Sequence, residues 1–142
     1  MAQTTACWLL LFLMVLPALT QRESRSEKFR RQHIDFPKTR SDMDARRYCN
    51  LMMQRRGMTD GVCKPSNTFI HGDPMADICG RGGTHYRRAL RLSRAQLSVT
   101  TCKLQGTSRG QCRYWAHTGQ RHILIGCDAS GWPVHFEESN FM

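Results

Sequence analysis

The sequence predicts an α+β protein, and three observations carry that prediction. Patterns typical of helices occupy the first half of the chain, and patterns typical of strands occupy the second half. Helices and strands do not alternate along the sequence as they would in a βαβ repeat. Six cysteines follow the apolar N-terminal segment, and an even number of cysteines in a small secreted chain favours three disulfides.

Residues 1–20 form a segment without a charged side chain, and it contains the apolar run Cys7 to Leu16. The run is too short to cross a bilayer as a helix, and small residues precede a cleavage point after Thr20. We therefore expect residues 1–20 to be a signal peptide and residues 21–142 to be one domain of a secreted, extracellular protein. A retained membrane anchor is the less favoured alternative.

The first predicted helix is short and charged, and Ser24 or Ser26 is placed to cap its N-terminus. Phe29 and His33 lie four residues apart, so they share one helix face. We expect this face to dock on the body of the domain and to carry His33 into a cleft. Pro37 prevents the helix from continuing.

Two further helices are predicted before the strands begin. One covers residues 42–56 and ends at Gly57. The other is a short helix over residues 73–79, with Pro74 at its first position. The rest of the chain consists of segments rich in strand-forming residues, separated by turn residues. Strands are predicted over residues 62–70, 89–92, 96–104, 112–117, 122–127 and 132–136.

The charge of the chain is strongly positive, with a formal net charge of +10. Seventeen of the 21 basic side chains are arginine, whose planar fork matches phosphate oxygens. RNA, DNA, heparan-type glycans and anionic membranes are the polyanions that such a chain would bind. The alternative is that many of these arginines form an ordinary solvated surface.

Cysteine spacing leaves the disulfide pattern open, because six cysteines allow fifteen pairings. No C-x-x-C motif and no cysteine–histidine cluster of zinc-finger spacing occurs in the sequence. We therefore predict neither a metal site nor a cofactor.

Three separated motifs carry the chemistry: CKPSNTF at residues 63–69, the pair Gln32-His33, and PVHF at residues 133–136. Together they supply two histidines and one lysine. Cleavage of RNA by its own 2′-hydroxyl needs a base, an acid and a cation for the charge that builds on phosphorus. Histidine suits both proton-transfer roles, since its pKa lies near neutrality.

These motifs resemble the pancreatic ribonuclease (ribonuclease A) superfamily, in its angiogenin-like branch with six cysteines. The resemblance runs from about residue 28 to residue 139. It implies three short helices packed on a bent antiparallel sheet, with three disulfides. It also implies a monomeric, metal-free endoribonuclease that cleaves single-stranded RNA after pyrimidines through a 2′,3′-cyclic phosphate.

The resemblance also implies roles for the residues of the catalytic centre. His33 would be the proton acceptor, His135 the proton donor, and Lys64 the residue that stabilises the transition state. Gln32 would hydrogen-bond a phosphate oxygen, and Asn67 would steady Lys64.

Recognition of the RNA would depend on a second group of residues. Thr68 would read the pyrimidine edge while Phe136 packs on the ring of the base. Lys28 and Arg31, on the first helix, would hold phosphates away from the cleaved bond.

The cysteines match a pairing that the resemblance implies: Cys49 with Cys102, Cys63 with Cys112, and Cys79 with Cys127. Pancreatic-type members have a fourth disulfide whose cysteines are missing here. We therefore expect the loop at residues 81–86, where those members bind the downstream base, to be looser or differently shaped.

Two positions depart from the family pattern. Glu137 stands where the family usually has an aspartate that orients the catalytic imidazole. Glu138 follows, where angiogenin has a glutamine that obstructs the pyrimidine pocket. We therefore expect ribonuclease activity that is weaker than that of a digestive pancreatic enzyme.

A different class of function is the alternative. The arginine-rich surface also suits a cationic effector, with angiogenic, antimicrobial or glycan-binding roles, for which catalysis is secondary. A ribonuclease inhibitor and a cell-surface receptor are further candidate partners. The basic segment Arg55-Arg56-Gly57 resembles a short nuclear-entry signal, which predicts uptake into the nucleus or nucleolus of target cells.

Overall fold

The computed structural model describes residues 22–73 and 77–138. Two helices and seven strands lie in this part of the chain, which confirms the α+β class. They are α1 (Arg25–His33), α2 (Ala45–Arg55), β1 (Ser66–Ile70), β2 (Gly83–Arg87), β3 (Leu90–Ser93), β4 (Leu97–Ser108), β5 (Gln111–Arg121), β6 (Leu124–Cys127) and β7 (Pro133–Phe136).

The predicted third helix lies partly outside the described residues, since residues 74–76 are not described. Residues 78–80 form a turn. The predicted signal peptide lies wholly outside the described residues. None of the described helices is long and apolar enough to cross a membrane.

Helix α1 begins at a capping box, as its sequence indicates. The Ser24 hydroxyl accepts a hydrogen bond from the Glu27 backbone N–H at 3.1 Å, and the Glu27 carboxylate accepts one from the Ser24 N–H at 2.8 Å. Of the two serines predicted as caps, Ser24 is therefore the one used. Phe29 and His33 are both buried, which confirms the predicted docking face.

Helix α2 starts three residues later than predicted, because Asp44 has an extended conformation and caps the first turn with its carboxylate. The predicted end at Gly57 is confirmed. The N–H of Gly57 bonds to the Gln54 carbonyl, and the N–H of Met58 bonds to the Met53 carbonyl. This pair of bonds is a Schellman motif, and it needs the left-handed φ of +78° that glycine adopts at little cost.

The strands form two antiparallel sheets. One has the order β1-β4-β5, and the other has the order β2-β3-β6-β7. Helix α2 packs on β4 and β5, and helix α1 packs on β1 and β7. The core under α2 is built around Tyr48, Met52, Met53, Phe69 and Tyr114. The core under α1 is built around Phe29, Ile70, Val99, Ile123, Ile125 and Phe136.

Three disulfides tie these layers together. One joins α2 to β4, one joins the segment before β1 to β5, and one joins the turn before β2 to β6. The pairs are Cys49 with Cys102, Cys63 with Cys112, and Cys79 with Cys127.

At residues 81–86, where we expect a looser or differently shaped loop, the chain enters an ordered strand. Strand β2 begins at Gly83 and pairs with β3. The Arg91 guanidinium donates hydrogen bonds of 2.8 Å to the carbonyls of Ile78, Gly80 and Gly83. The Arg91 guanidinium thus fastens the segment that leads into β2 without a covalent bond.

Candidate active site

The proton acceptor predicted from the sequence, His33, lies at the C-terminal end of α1 and is 5% exposed. Its Nδ1 is 2.8 Å from the carbonyl oxygen of Thr68. The Phe136 ring stacks on it, with 4.9 Å between the ring centroids. When Nδ1 carries the proton and donates to that carbonyl, the lone pair of the neutral ring is on Nε2.

The environment of His33 keeps its imidazole uncharged. The pKa of His33 is lowered to about 4, chiefly by burial; the Thr68 carbonyl opposes this shift, and the nearby charges of Lys64 and His135 add to it. A neutral ring is the form that accepts a proton.

Lys64 is held by Asn67, as predicted, and also by Gln32, which was predicted to bind a phosphate oxygen instead. Its Nζ donates to Asn67 Oδ1 at 2.9 Å and to Gln32 Oε1 at 3.3 Å. Asn67 Nδ2 in turn donates to the Gln32 backbone carbonyl at 2.8 Å. This network links β1 to α1 and gives the ammonium a defined direction. The pKa of Lys64 is lowered, chiefly by burial.

His135 lies on β7, next to the Phe136 ring that stacks on His33. Its side chain is 55% exposed, so it is open to solvent. His135 Nε2 lies 3.9 Å from Glu137 Oε2, which is an ion-pair distance but too long for a hydrogen bond. The Glu137 carboxylate therefore lies beside the imidazole, at more than hydrogen-bond distance from Nε2.

The edge predicted to read the base is already engaged. The Thr68 N–H donates to Glu138 Oε1 at 2.9 Å, and the Thr68 hydroxyl donates to Glu138 Oε2 at 2.8 Å. Burial raises the pKa of Glu138, against the opposing effects of Thr68, Lys64 and Arg121. The Glu138 carboxylate thus occupies the hydrogen-bond donors that a pyrimidine would use.

The two residues predicted to hold distant phosphates differ in their surroundings. Lys28 is exposed on α1. The Arg31 guanidinium donates to both carboxylate oxygens of Glu23, at 2.7 and 2.9 Å, and to the Arg56 carbonyl at 2.6 Å. Arg31 is therefore tied to protein groups, whereas Lys28 faces solvent.

The basic segment predicted as a nuclear-entry signal is partly used by the fold. Arg55 is exposed. Arg56 donates to the carbonyls of Arg31 and Ile34 and reaches Asp35 Oδ1 at 3.3 Å. Arg56 thus fixes the C-terminal end of α1, which carries His33.

A buried polar cluster beside α1 was not predicted. Asp35 is 3% exposed and accepts hydrogen bonds from the Tyr48 hydroxyl at 2.5 Å and from the Thr39 hydroxyl at 2.7 Å. Burial opposes ionisation of Asp35, but these bonds and Arg56 outweigh it and lower its pKa. His71 Nδ1 bonds to the Asp35 carbonyl at 2.9 Å. The sequence signal for this cluster was an aspartate two residues after His33.

Metal ligands are not grouped in the described ranges. Within residues 22–73 and 77–138, no three or more His, Cys, Asp or Glu side chains lie close enough to share a metal ion.

Comparison with known proteins identifies the family. A family model described as pancreatic ribonuclease matches residues 24–137. The chain is 49% identical to a ribonuclease of Chelydra serpentina, over 82% of this chain and 99% of that protein. It is 47% identical to an angiogenin of Mus musculus, over 91% of this chain and 88% of that protein.

Solved structures give the same result. Green turtle egg white ribonuclease superposes with a TM-score of 0.75 at 48% identity, covering 83% of this chain and all of that one. Zebrafish RNase5 superposes with a TM-score of 0.67 at 36% identity, covering 81% of this chain and 93% of that one.

The fold and the site together define a class: a three-disulfide α+β protein in which a second histidine and a lysine lie near a buried histidine. The chain belongs to the pancreatic ribonuclease family. It is an endoribonuclease with angiogenin-like relatives, and these relatives favour the enzyme over the alternative of a cationic effector with secondary catalysis.

Proposed function

We propose that the protein is a secreted endoribonuclease that cleaves single-stranded RNA after pyrimidines, through a 2′,3′-cyclic phosphate and without a metal ion or other cofactor. The observation that carries the proposal is that Lys64 and His135 lie close enough to His33 to act on its charge, while His33 itself is hydrogen-bonded to the Thr68 carbonyl. His33 is buried and His135 is exposed, which suits two different tasks.

The first chemical step would use all three side chains. His33 Nε2 takes the proton of the ribose 2′-hydroxyl, and that oxygen attacks phosphorus. The bond to the 5′-oxygen breaks as His135 gives that oxygen a proton. Lys64 and Gln32 face the phosphoryl oxygens, on which negative charge increases in the transition state. Hydrolysis of the cyclic phosphate would then use the histidines in reversed roles.

Base selection would depend on moving Glu138. The carboxylate accepts hydrogen bonds from both Thr68 donors, so a pyrimidine has to displace it before Thr68 and Phe136 can hold the ring. Displacement costs free energy, because two charge-assisted hydrogen bonds are exchanged. We therefore propose activity below that of an unobstructed pancreatic-type enzyme.

Partners beyond RNA follow from the family and the charge. Relatives named ribonuclease and angiogenin imply a ribonuclease inhibitor as a general kind of partner. We also propose heparan-type glycans, anionic membranes or a cell-surface receptor as partners of the cationic surface, with the protein acting as a monomer. Entry into the nucleus through the segment at residues 55–57 would depend on exposed Arg55, since Arg56 is bonded within the fold.

The test of this proposal is cleavage of defined dinucleotides. UpA should yield uridine 2′,3′-cyclic phosphate and adenosine in the presence of EDTA, and ApA should be cleaved far more slowly. Equal rates for UpA and ApA, or loss of activity with EDTA, would contradict the proposal.

A further inference from the structure

The exposed face of the β4–β5 ribbon is a part of the molecule that the catalytic centre does not use. Side chains two residues apart on a strand point to the same face. The register pairs Thr101 with His117 and Lys103 with Trp115. Lys103, Trp115 and His117 are exposed, and Thr101 is half-buried. We call this surface the outer ribbon face.

The outer ribbon face begins at the base-reading residue. The hydroxyls of Thr101 and Thr68 are 2.9 Å apart, so they are hydrogen-bonded. Strand β1 lies at the edge of its sheet, with β4 on one side, and α1 and its His33 pack against β1 and β7. The outer ribbon face therefore leads away from Thr68 on the side opposite to the catalytic histidines.

A platform for an aromatic base lies along this face. The Trp115 side chain is 47% exposed, and the Arg46 guanidinium covers its ring at 4.3 Å from the centroid. Arg46 Nη2 also donates to Gln105 Oε1 at 2.9 Å, which holds the guanidinium over the indole. Exposed indole and guanidinium planes are the groups on which bases of single-stranded nucleic acids stack.

A basic groove of about 660 Å³ continues from the platform, between α2 and the far end of the ribbon. Three guanidiniums line it, against one carboxylate, that of Asp44, which caps α2. Amide and hydroxyl side chains complete the lining. The basic and neutral polar side chains of the groove include those of Arg46, Arg47, Asn50, Gln105, Thr107 and Arg113. Guanidiniums and neutral hydrogen-bond donors are the usual partners of phosphate oxygens.

We propose that the outer ribbon face and this groove bind the RNA strand on the 5′ side of the cleaved bond, with one base stacked on the Trp115–Arg46 pair and the following phosphates in the groove. The direction rests on the proposed function, in which Thr68 reads the base 5′ of that bond. RNA fits better than a sulfated glycan, because the face begins at Thr68, where the proposed function places a base, and the indole and guanidinium planes can stack the next base of the same strand.

Binding can be tested without catalysis. A single-stranded oligodeoxynucleotide lacks the 2′-hydroxyl and cannot be cleaved, yet it carries the same bases and phosphates. We expect it to quench tryptophan fluorescence in the wild type and in Trp132→Phe. Trp132 is a matched control, because it is also exposed, at 55%, but lies outside the outer ribbon face. Trp115→Thr should lose the quenching.

A kinetic test asks whether this surface serves the substrate. A single UpA step is placed in oligonucleotides extended only on the 5′ side or only on the 3′ side. The 5′ extension should raise kcat/KM over the dinucleotide by about tenfold, the size expected for one stacked base. Trp115→Thr and the pair Arg46→Gln with Arg113→Gln should lose this gain while cleaving the dinucleotide normally.

Arg55→Gln is the control for charge. Arg55 lies nine positions after Arg46 on α2, which places it on the opposite side of the helix. Its replacement removes the same charge and should keep the gain from 5′ extension. The logarithm of the oligonucleotide binding constant falls linearly with the logarithm of the salt concentration. The magnitude of that slope should decrease by about 0.7 for each phosphate that the protein no longer neutralises, and it should do so in the groove variants only.

Several outcomes would overturn the inference. In the kinetic test, they are an equal rise in kcat/KM from 3′ extension, no rise from 5′ extension, or the loss of that rise in Arg55→Gln as well. In the fluorescence test, the contrary result is quenching of Trp115 by a heparin oligosaccharide but not by the oligonucleotide. Failure to cleave UpA would refute the proposed function instead, and the fluorescence test would still decide whether the surface binds a single strand.

Discussion

At the scale of single residues, the two histidines differ chiefly in burial. His33 is 5% exposed and hydrogen-bonded, whereas the His135 side chain is 55% exposed. Placing a charge on a buried ring costs free energy, so such a ring holds an extra proton only transiently. An exposed ring can exchange its proton with solvent and reach a leaving group.

The pH dependence follows from the burial of His33. Its pKa in the fold is about 4, below its ordinary value of 6.5, so the base stays neutral until the pH falls through about 4. We therefore expect the acidic limb of kcat/KM for UpA near pH 4. An acidic limb near pH 6.5 that disappears when only His33 is replaced would contradict this expectation.

The same shift predicts a pH effect on stability. A histidine with a lowered pKa in the fold stabilises the protein above pH 6.5, and that contribution is lost as the pH falls from 6.5 to about 4. His33→Gln should therefore flatten the free energy of unfolding over this range, measured by denaturant titration. An unchanged pH profile in His33→Gln would show that the ring does not carry the effect.

Glu138 should limit activity because it occupies both Thr68 donors. We expect Glu138→Ala to raise kcat/KM for UpA by roughly tenfold, since displacing two hydrogen bonds to a charged group costs about 1.4 kcal/mol or more. Glu138→Gln keeps the length and one acceptor, so its effect should be smaller. An unchanged rate for Glu138→Ala would mean that the carboxylate does not obstruct the base.

At the scale of elements, local signals made both described helices predictable. Ser24 and Gly57 act through neighbouring backbone groups, and such caps can be recognised from a few residues. Strand β2 was missed because its first residue, Gly83, follows a glycine-rich stretch that resembles a turn. What holds it in place is Arg91, through hydrogen bonds to carbonyls up to 13 residues away in sequence.

The candidate catalytic residues were proposed from the sequence for a different reason. Their motifs resemble a family, and the resemblance supplied roles that spacing alone does not give. The resemblance also pointed to Glu138 as a residue at the pyrimidine pocket. Its two hydrogen bonds to Thr68, 70 positions away in sequence, depend on the folded chain. The structural use of Arg56 was hidden, since one more arginine in a basic segment gives no local signal.

Replacing Arg91 tests whether its hydrogen bonds hold β2 in place. Arg91→Lys cannot keep the three carbonyl hydrogen bonds of its planar fork, so we expect a loss of about 2 kcal/mol in the free energy of unfolding. Amide exchange in β2 should accelerate. Arg87→Lys is the control, because Arg87 lies on β2 itself and is exposed. Equal protection of β2 in wild type and Arg91→Lys would refute the role.

At the scale of the whole molecule, three disulfides close loops with sequence separations of 53, 49 and 48 residues. Each contributes about 4 kcal/mol in the chain-entropy model, which together approaches the total stability of a small domain. We expect the reduced protein to lose its cooperative thermal transition in near-ultraviolet circular dichroism. A reduced protein with the native melting temperature would contradict this account.

In the whole molecule, the proposed catalytic centre draws on distant parts of the chain. Helix α1 contributes His33, the segment before β1 contributes Lys64, and β7 contributes His135. Strand β1 lies between them, and Arg56 and Asp35 fix the end of α1 against the body. Damage to this docking should lower activity without touching a catalytic side chain.

The most direct test of the central claim is UpA cleavage by His33→Ala and His135→Ala, each compared with His85→Ala, which replaces an exposed histidine on β2. We expect each catalytic variant to lose roughly 10²- to 10⁴-fold in kcat/KM with an unchanged circular dichroism spectrum, and His85→Ala to keep full activity. Near-full activity in a nuclease-free preparation of either His33→Ala or His135→Ala would contradict the account.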